Sequence, residues 1–229
     1  MSSWVYTENI LSKKIDFEGK IILDIGCGNG WFSVWSFNKG AKDVFAIDPI
    51  QQQIEMARTN SKYNINFQVG LAEDLPFENN KFDLIFFFNS LHHINLKMIK
   101  KALNEGKRVT KETGCMFIIE PLSTGTFNEI LKLVDDESNI RAKAYCEISS
   151  FYQNTFTSNE EIFYEENKEF NEFSEFCNLL LSADLQRKDI IIKIKDILIN
   201  KFNSLSQYTN NKYQLIQPMR MNIIQFNKE

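Results

Sequence analysis

The chain has 229 residues, with 26 basic against 30 acidic side chains and a formal net charge of −4. Hydrophobic residues make up 43% and charged residues 24%, proportions that exclude a disordered chain, a fibre and a disulfide-rich secreted scaffold. The mildly acidic balance gives no global pull toward nucleic acid or anionic membrane, so neither partner is expected.

Residues 1–19 are expected to hold an N-terminal helix. Lys20 to Ile25 reads as a short buried strand ending in a glycine loop. Trp31 to Lys39 follows as a helix stopped by Gly40. Asp43 to Asp48 is a second strand, after which Pro49 opens a helix. Ile65 to Val69 is a third strand, and Phe82 to Phe88 a fourth, nearly all apolar as in a sheet covered on both faces. Leu96, Ile99 and Leu103 mark a helix face, and Cys115 to Ile119 a fifth strand. Strands alternating with helices predict a doubly wound, mostly parallel α/β sheet. Ligands then sit at the carboxyl ends of the strands. Those ends are Gly26 to Gly30, Asp48, Gly70 to Glu73, Asn89 to His93, and Glu120.

The second half reads differently. Thr126 to Phe151 looks helical. Thr157 to Glu175 carries seven glutamates and one lysine, read as one solvated face with a strand near Ile162 to Phe170. Ile191, Ile194, Leu198, Phe202 and Leu205 form a helical stripe read as core, and Tyr213 to Phe226 a last strand.

The four cysteines, Cys27, Cys115, Cys146 and Cys177, have no CxxC spacing and do not cluster with the two histidines, so no metal is expected. Free thiols suit a reducing cytoplasm. Residues 1–20 lack a signal-peptide core, and no run of about 18 apolar residues is present, so no membrane span is expected.

The strongest motif is Leu23-Asp24-Ile25-Gly26-Cys27-Gly28-Asn29-Gly30. Alternating glycines after a buried strand permit a sharp turn and close backbone approach by a ligand, and the next helix offers free N–H groups. Asp48 is placed to accept ribose hydroxyls. A dinucleotide fingerprint puts its third small residue at Trp31, where an indole conflicts with close packing. No P-loop pattern occurs.

This motif resembles the first motif of the class I S-adenosylmethionine-dependent methyltransferases. The resemblance continues through Ala46-Ile47-Asp48, Ala72 to Phe77, Phe82 to Ile85 and Asn89 to Ile94, about residues 20–121. It implies a Rossmann-like sheet of seven strands, the last antiparallel, with a helical insert after the fifth. It also implies a single domain: an N-terminal helix (1–19), a cofactor-binding half (20–121) and a substrate-side insert with a C-terminal elaboration (122–229). Asp24 and the loop Gly26, Cys27, Gly28 and Gly30 would hold the methionine end of S-adenosylmethionine, with Asn89 beside it. Asp48 would bind the ribose, with Pro49 next to it and Ile50 on the adenine. Ala72 would supply an N–H to the adenine ring. Many members carry an acid just before that alanine. Here the position is Leu71, leaving Glu73 or Asp74 as substitutes.

His92 and His93 follow the fourth strand, and Glu120 closes the fifth on the same edge. Histidine titrates near neutral pH and suits a general base, and a carboxylate orients it and stabilises its charged form. The resemblance to small-molecule O-methyltransferases points to His92 as base and Glu120 as its partner, with His93 as the second candidate. Arg220, Arg141 and Tyr145 are the candidate substrate contacts, Glu147 a further insert residue, and Tyr6 and Trp4 candidates for closing over the cofactor. The expected function is methyl transfer to a small-molecule acceptor, O-methylation first. N- or C-methylation, a nucleic-acid acceptor and a non-catalytic cofactor-binding protein are the alternatives.

Overall fold

The computed structural model describes residues 5–153 and 157–226. Trp4 lies outside the described residues. In chain order the elements are α1 (Val5–Lys14), β1 (Ile21–Ile25), α2 (Trp31–Asn38), β2 (Asp43–Asp48), α3 (Gln51–Asn60), β3 (Asn66–Val69), β4 (Phe82–Phe88), α4 (Ile99–Val109) and β5 (Thr110–Pro121). Then come α5 (Thr126–Leu131), α6 (Ser138–Gln153), β6 (Thr157–Phe170), α7 (Phe173–Ala183), α8 (Lys188–Lys193), α9 (Lys195–Leu205), β7 (Gln207–Thr209) and β8 (Lys212–Phe226). Two compact units emerge. One is Ile15–Glu120, Ile140–Ile162 and Arg220–Glu229; the other is Met1–Lys14, Pro121–Asn139 and Phe163–Met219.

The chain forms a mixed, mostly parallel, Rossmann-like α/β sheet, of which the larger unit holds β1 to β4, β5 as far as Glu120, and the parts of β6 and β8 within 157–162 and 220–226. The strand order is β3-β2-β1-β4-β5-β8-β6, with the short β7 paired off this path to β8. Strands β1 to β5 pair in parallel, as crossover helices require. The fourth strand is sealed on both faces. Phe86 and Phe88 meet Phe32 on α2, at ring distances of 4.7 and 5.2 Å. On the other face Ile85 and Phe87 meet α4 at Gly106, where a Cβ would come within 2.9 Å of Ile85 Cδ1. The core continues through Leu23, Ile47, Leu103, Ile118, Ile148 and Ile224. At the amino edge Asp83 accepts from Ile21 N–H and pairs with Lys111, joining strands away from the ligand edge.

The smaller unit is built on Phe127, Phe170, Phe176, Leu198, Phe202 and Leu215. The buried Glu166 accepts the Tyr6 and Thr7 N–H groups, satisfying donors that the start of α1 leaves open. Asn210 and Asn211, both at positive φ, form the two-residue hairpin turn between β7 and β8.

Several boundaries move. Helix α3 starts at Gln51, with Pro49 in a bend and Ile50 extended ahead of it. The continuous helix expected over Thr126 to Phe151 is broken between Leu131 and Ser138. The acidic stretch is not one solvated face: Glu166 is fully buried and Lys168 is 3% exposed. No helix among the described residues is long and apolar enough to cross a membrane.

Candidate active site

Strand β1 connects onward to one side of the sheet and β4 to the other, so the crevice outside their carboxyl ends is where an open α/β sheet takes a ligand. The glycine loop lies there. Gly26 N–H and Cys27 N–H donate to Ile47 O at 2.8 and 2.9 Å, anchoring the turn to β2. Gly26, Gly28 and Gly30 all have left-handed φ, at 75°, 51° and 80°. Their reasons differ. A Cβ on Gly26 would sit 2.5 Å from Ser90 Cβ, and one on Gly30 2.9 Å from Ala57 Cβ and the Phe67 ring. A Cβ on Gly28 would meet no atom within 4 Å, so that glycine is the one open to a ligand. Gly30 supplies the close packing, and Trp31 packs edge-on to Phe88 at 5.1 Å.

Two acids flank the loop. Asp24 is buried at the end of β1, and Ser33 Oγ donates to its Oδ2 at 2.6 Å. Its Oδ1 is buried with no hydrogen-bond partner. Burial pushes this carboxyl up to about 7, with a smaller push from Asp48. Asp48 accepts Gly28 N–H on Oδ2 at 3.0 Å and Ile50 N–H on Oδ1 at 2.9 Å, and burial raises it too. Each oxygen keeps a second lone pair for a hydroxyl. Burial, and then the Asp24 and Asp48 charges, push the Cys27 thiol far up, so it is no nucleophile.

Pro49 and Ile50 are exposed beyond Asp48. Leu71 is exposed and bridges to Asp74, Ala72 is buried between them, and Glu73 is half-buried. Arg108, a residue without a motif, fixes this loop. It donates to Phe77 O at 2.7 Å and Leu75 O at 2.9 Å and pairs with Glu105, which accepts Leu75 N–H.

Asn89 ends β4 at a left-handed φ of 53°, a conformation asparagine tolerates better than most residues. Its N–H donates to Ile119 O at 2.7 Å, and its Oδ1 is buried without a partner. Ser90 Oγ donates to Ile25 O at 2.6 Å, tying β4 to β1. A 3₁₀ turn, Leu91–His93, comes next. His92 is 2% exposed and Glu120 3%. His92 Nδ1 bonds Glu120 Oε2, while Oε1 accepts Leu91 N–H at 2.9 Å. Burial alone would raise Glu120; the charge and hydrogen bond of His92, helped by His93, outweigh it and hold the carboxyl below its ordinary range. An ionised Glu120 requires the proton on Nδ1, so neutral His92 carries its lone pair on Nε2. His93 is exposed, and its ring lies tilted by 41° against that of His92 at 4.0 Å between centroids.

Arg141, on α6, is buried, not a solvated charge. Tyr145 and Arg220 come together, the guanidinium carbon 3.5 Å from the ring centroid, with Glu161 and Asn222 completing the group. Glu147 is half-buried on α6. Tyr6 is half exposed at the start of α1.

The residues fit the cofactor that the loop motif implies. A buried carboxylate oxygen without a partner suits an ammonium group, Gly28 leaves room beside the backbone, and Asp48 is placed for vicinal hydroxyls. Residues 22–114 match the family described as "Methyltransferase domain". The tRNA U34 carboxymethyltransferase of Campylobacter curvus is 32% identical over 113 residues, covering 46% of this chain and 38% of that protein. The methyltransferase YcgJ of Bacillus subtilis is 28% identical over 149 residues, 61% of this chain and 56% of that one. The matched stretch is about two fifths of the length of the first of these curated relatives. The crystal structure of YcgJ superposes with a TM-score of 0.64 at 19% identity over 96% of this chain and 98% of that chain. A methyltransferase from Mesorhizobium loti gives 0.53 at 13% identity over 96% and 98%. These two structures share the fold.

Proposed function

We propose that this chain, which carries a class I S-adenosylmethionine-dependent methyltransferase domain, transfers a methyl group to the hydroxyl of a small-molecule acceptor, with His92 as general base and Glu120 as its positioning residue. The carrying observation is the buried His92–Glu120 pair on the same sheet edge as the glycine loop. Bound S-adenosylmethionine supplies an electrophilic methyl group on a positively charged sulfur. Asp24 would hold its ammonium group and Asp48 its ribose. The acceptor oxygen would take that methyl group with the neutral thioether as leaving group, and its proton would pass to His92 Nε2. Glu120 keeps Nδ1 protonated and stabilises the resulting imidazolium.

A hydroxyl needs such a base far more than an amine or thiolate does, so the pair favours O-methylation over N- or C-methylation. Its burial favours an acceptor small enough to be enclosed. A second reading, a tRNA acceptor, draws on the relatives named tRNA U34 carboxymethyltransferases, which match less than half of either chain. One assay separates the two. Methyl-labelled S-adenosylmethionine is incubated with the protein and either a deproteinised metabolite extract or total tRNA. Label in a low-molecular-weight product supports the first reading. Label in tRNA alone replaces it with the second.

A further inference from the structure

One buried polar cluster in the larger unit is not used by methyl transfer itself. Arg220 is 7% exposed and stacks on Tyr145. Its Nε donates to Asn222 Oδ1 at 3.2 Å and lies 3.7 Å from Glu161 Oε1. That Glu161 oxygen also accepts from Tyr145 OH at 3.1 Å and Asn222 Nδ2 at 2.8 Å. Ring, amide and carboxylate therefore fix the guanidinium by its Nε edge. The two terminal nitrogens carry four of its five N–H donors, and none has a hydrogen-bond partner among the described residues. Tyr152 lies two turns after Tyr145 on α6, and its hydroxyl is buried and also without a partner. Arg220 and Tyr152 lie within electrostatic reach of each other, and Glu120 acts on Arg220.

The Tyr152 hydroxyl, buried without a partner, costs free energy until an acceptor arrives, and the Arg220 terminal nitrogens offer further donors beside it. The missing partner is an acceptor of several hydrogen bonds. Two terminal guanidinium nitrogens match the paired oxygens of a carboxylate. Glu161 and Glu120 both act on Arg220, so a singly charged carboxylate meets less repulsion there than a phosphate dianion does.

We infer that Arg220 and the Tyr152 hydroxyl bind a carboxylate of the methyl acceptor, which makes the acceptor a hydroxy acid. The role as acceptor rests on the methyl-transfer reading; the carboxylate site does not. The carboxylate itself is unchanged in the reaction, and the hydroxyl of the same molecule takes the methyl group.

The test is ligand-observed NMR with lactate, glycerate and mandelate as probes, each beside its amide. The protein is wild type, Arg220→Gln or Tyr152→Phe, and each variant is first checked by thermal melting. The expected result is binding of at least one acid, no binding of its amide, at least tenfold weakening in Arg220→Gln and threefold in Tyr152→Phe. Tyr152→Phe keeps the ring packing, so it carries the test if Arg220→Gln fails to fold. Amides binding as well as acids, variants binding as wild type does, or no acid binding at millimolar concentration would overturn the inference. S-adenosylhomocysteine binding is measured on the same samples. Its failure with acid binding intact counts against the methyl-transfer reading alone, and the converse against the acid site alone.

Discussion

His92 Nδ1 is bonded to Glu120 Oε2 across the carboxyl ends of β4 and β5, with both side chains almost wholly enclosed. The second oxygen of Glu120 holds the Leu91 N–H, so the carboxylate fixes both the turn and the imidazole it carries. A carboxylate so placed sets the tautomer of the imidazole it holds.

That pair makes stability depend on acid pH. The folded Glu120 carboxyl lies below its ordinary value of 4.5, so its contribution is complete above that value and is lost as pH falls through the folded one. Glu120→Gln is expected to lower the melting temperature at pH 7 and to flatten the loss of stability below pH 4.5. Thermal melts of both proteins from pH 3 to 8 check this. Parallel curves would contradict it.

Asp24 predicts a proton released on cofactor binding. Its carboxyl sits at about 7 against an ordinary 3.8, so part of the free protein holds that proton at neutral pH. A cation bound at Oδ1 favours the charged form and expels it. Titration with S-adenosylhomocysteine at pH 6.5, in buffers of different ionisation enthalpy, should register the release, and Asp24→Asn should abolish it. The raised value also means that ionised Asp24 costs stability above pH 7. Asp24→Asn should therefore melt higher than wild type at pH 8 while binding the ligand poorly.

The loop glycines are expected to fail in different ways. Gly28→Ala meets no neighbour and incurs only the left-handed backbone cost, about 1–2 kcal/mol. It should fold and lose S-adenosylhomocysteine affinity. Gly26→Ala adds a clash with Ser90, and overpacking brings about 1–3 kcal/mol more. Against a total of about 5–15 kcal/mol, this variant should show clear loss of stability by denaturant titration. Equal stabilities would refute the distinction.

Sequence patterning located the first five strands because each carries a short apolar or alternating run that stops at a glycine, an acid or, after β4, Asn89. β2 and β4 begin and end where the pattern places them. β5 begins five residues early, at Thr110, because its polar start pairs with β4 through a register shift between Phe82 and Leu84 that no alternation signals. Helix α7 escaped notice because its first three residues close the glutamate-rich stretch and the apolar run after them, Leu179 to Leu181, was assigned to no element. The loop glycines, Asp24, Asp48, His92 and Glu120 were legible because motif and strand end coincide at each. Glu161, Asn222 and Tyr152 were not, since their roles arise from three segments distant in sequence. Glu166 was read as solvated because charge alone does not reveal a carboxylate that receives the start of a helix. Arg108 carries no motif, and its several donors are spent on loop carbonyls and Glu105 that only the fold brings within reach.

The most direct measurement is the single-turnover rate of labelled methyl transfer from S-adenosylmethionine to the metabolite fraction, wild type against His92→Ala, with S-adenosylhomocysteine affinity measured on the same samples. The predicted result is a fall of about 10²–10⁴-fold in rate with affinity unchanged. A His92→Ala protein that transfers methyl at the wild-type rate would contradict the assignment of His92 as the base.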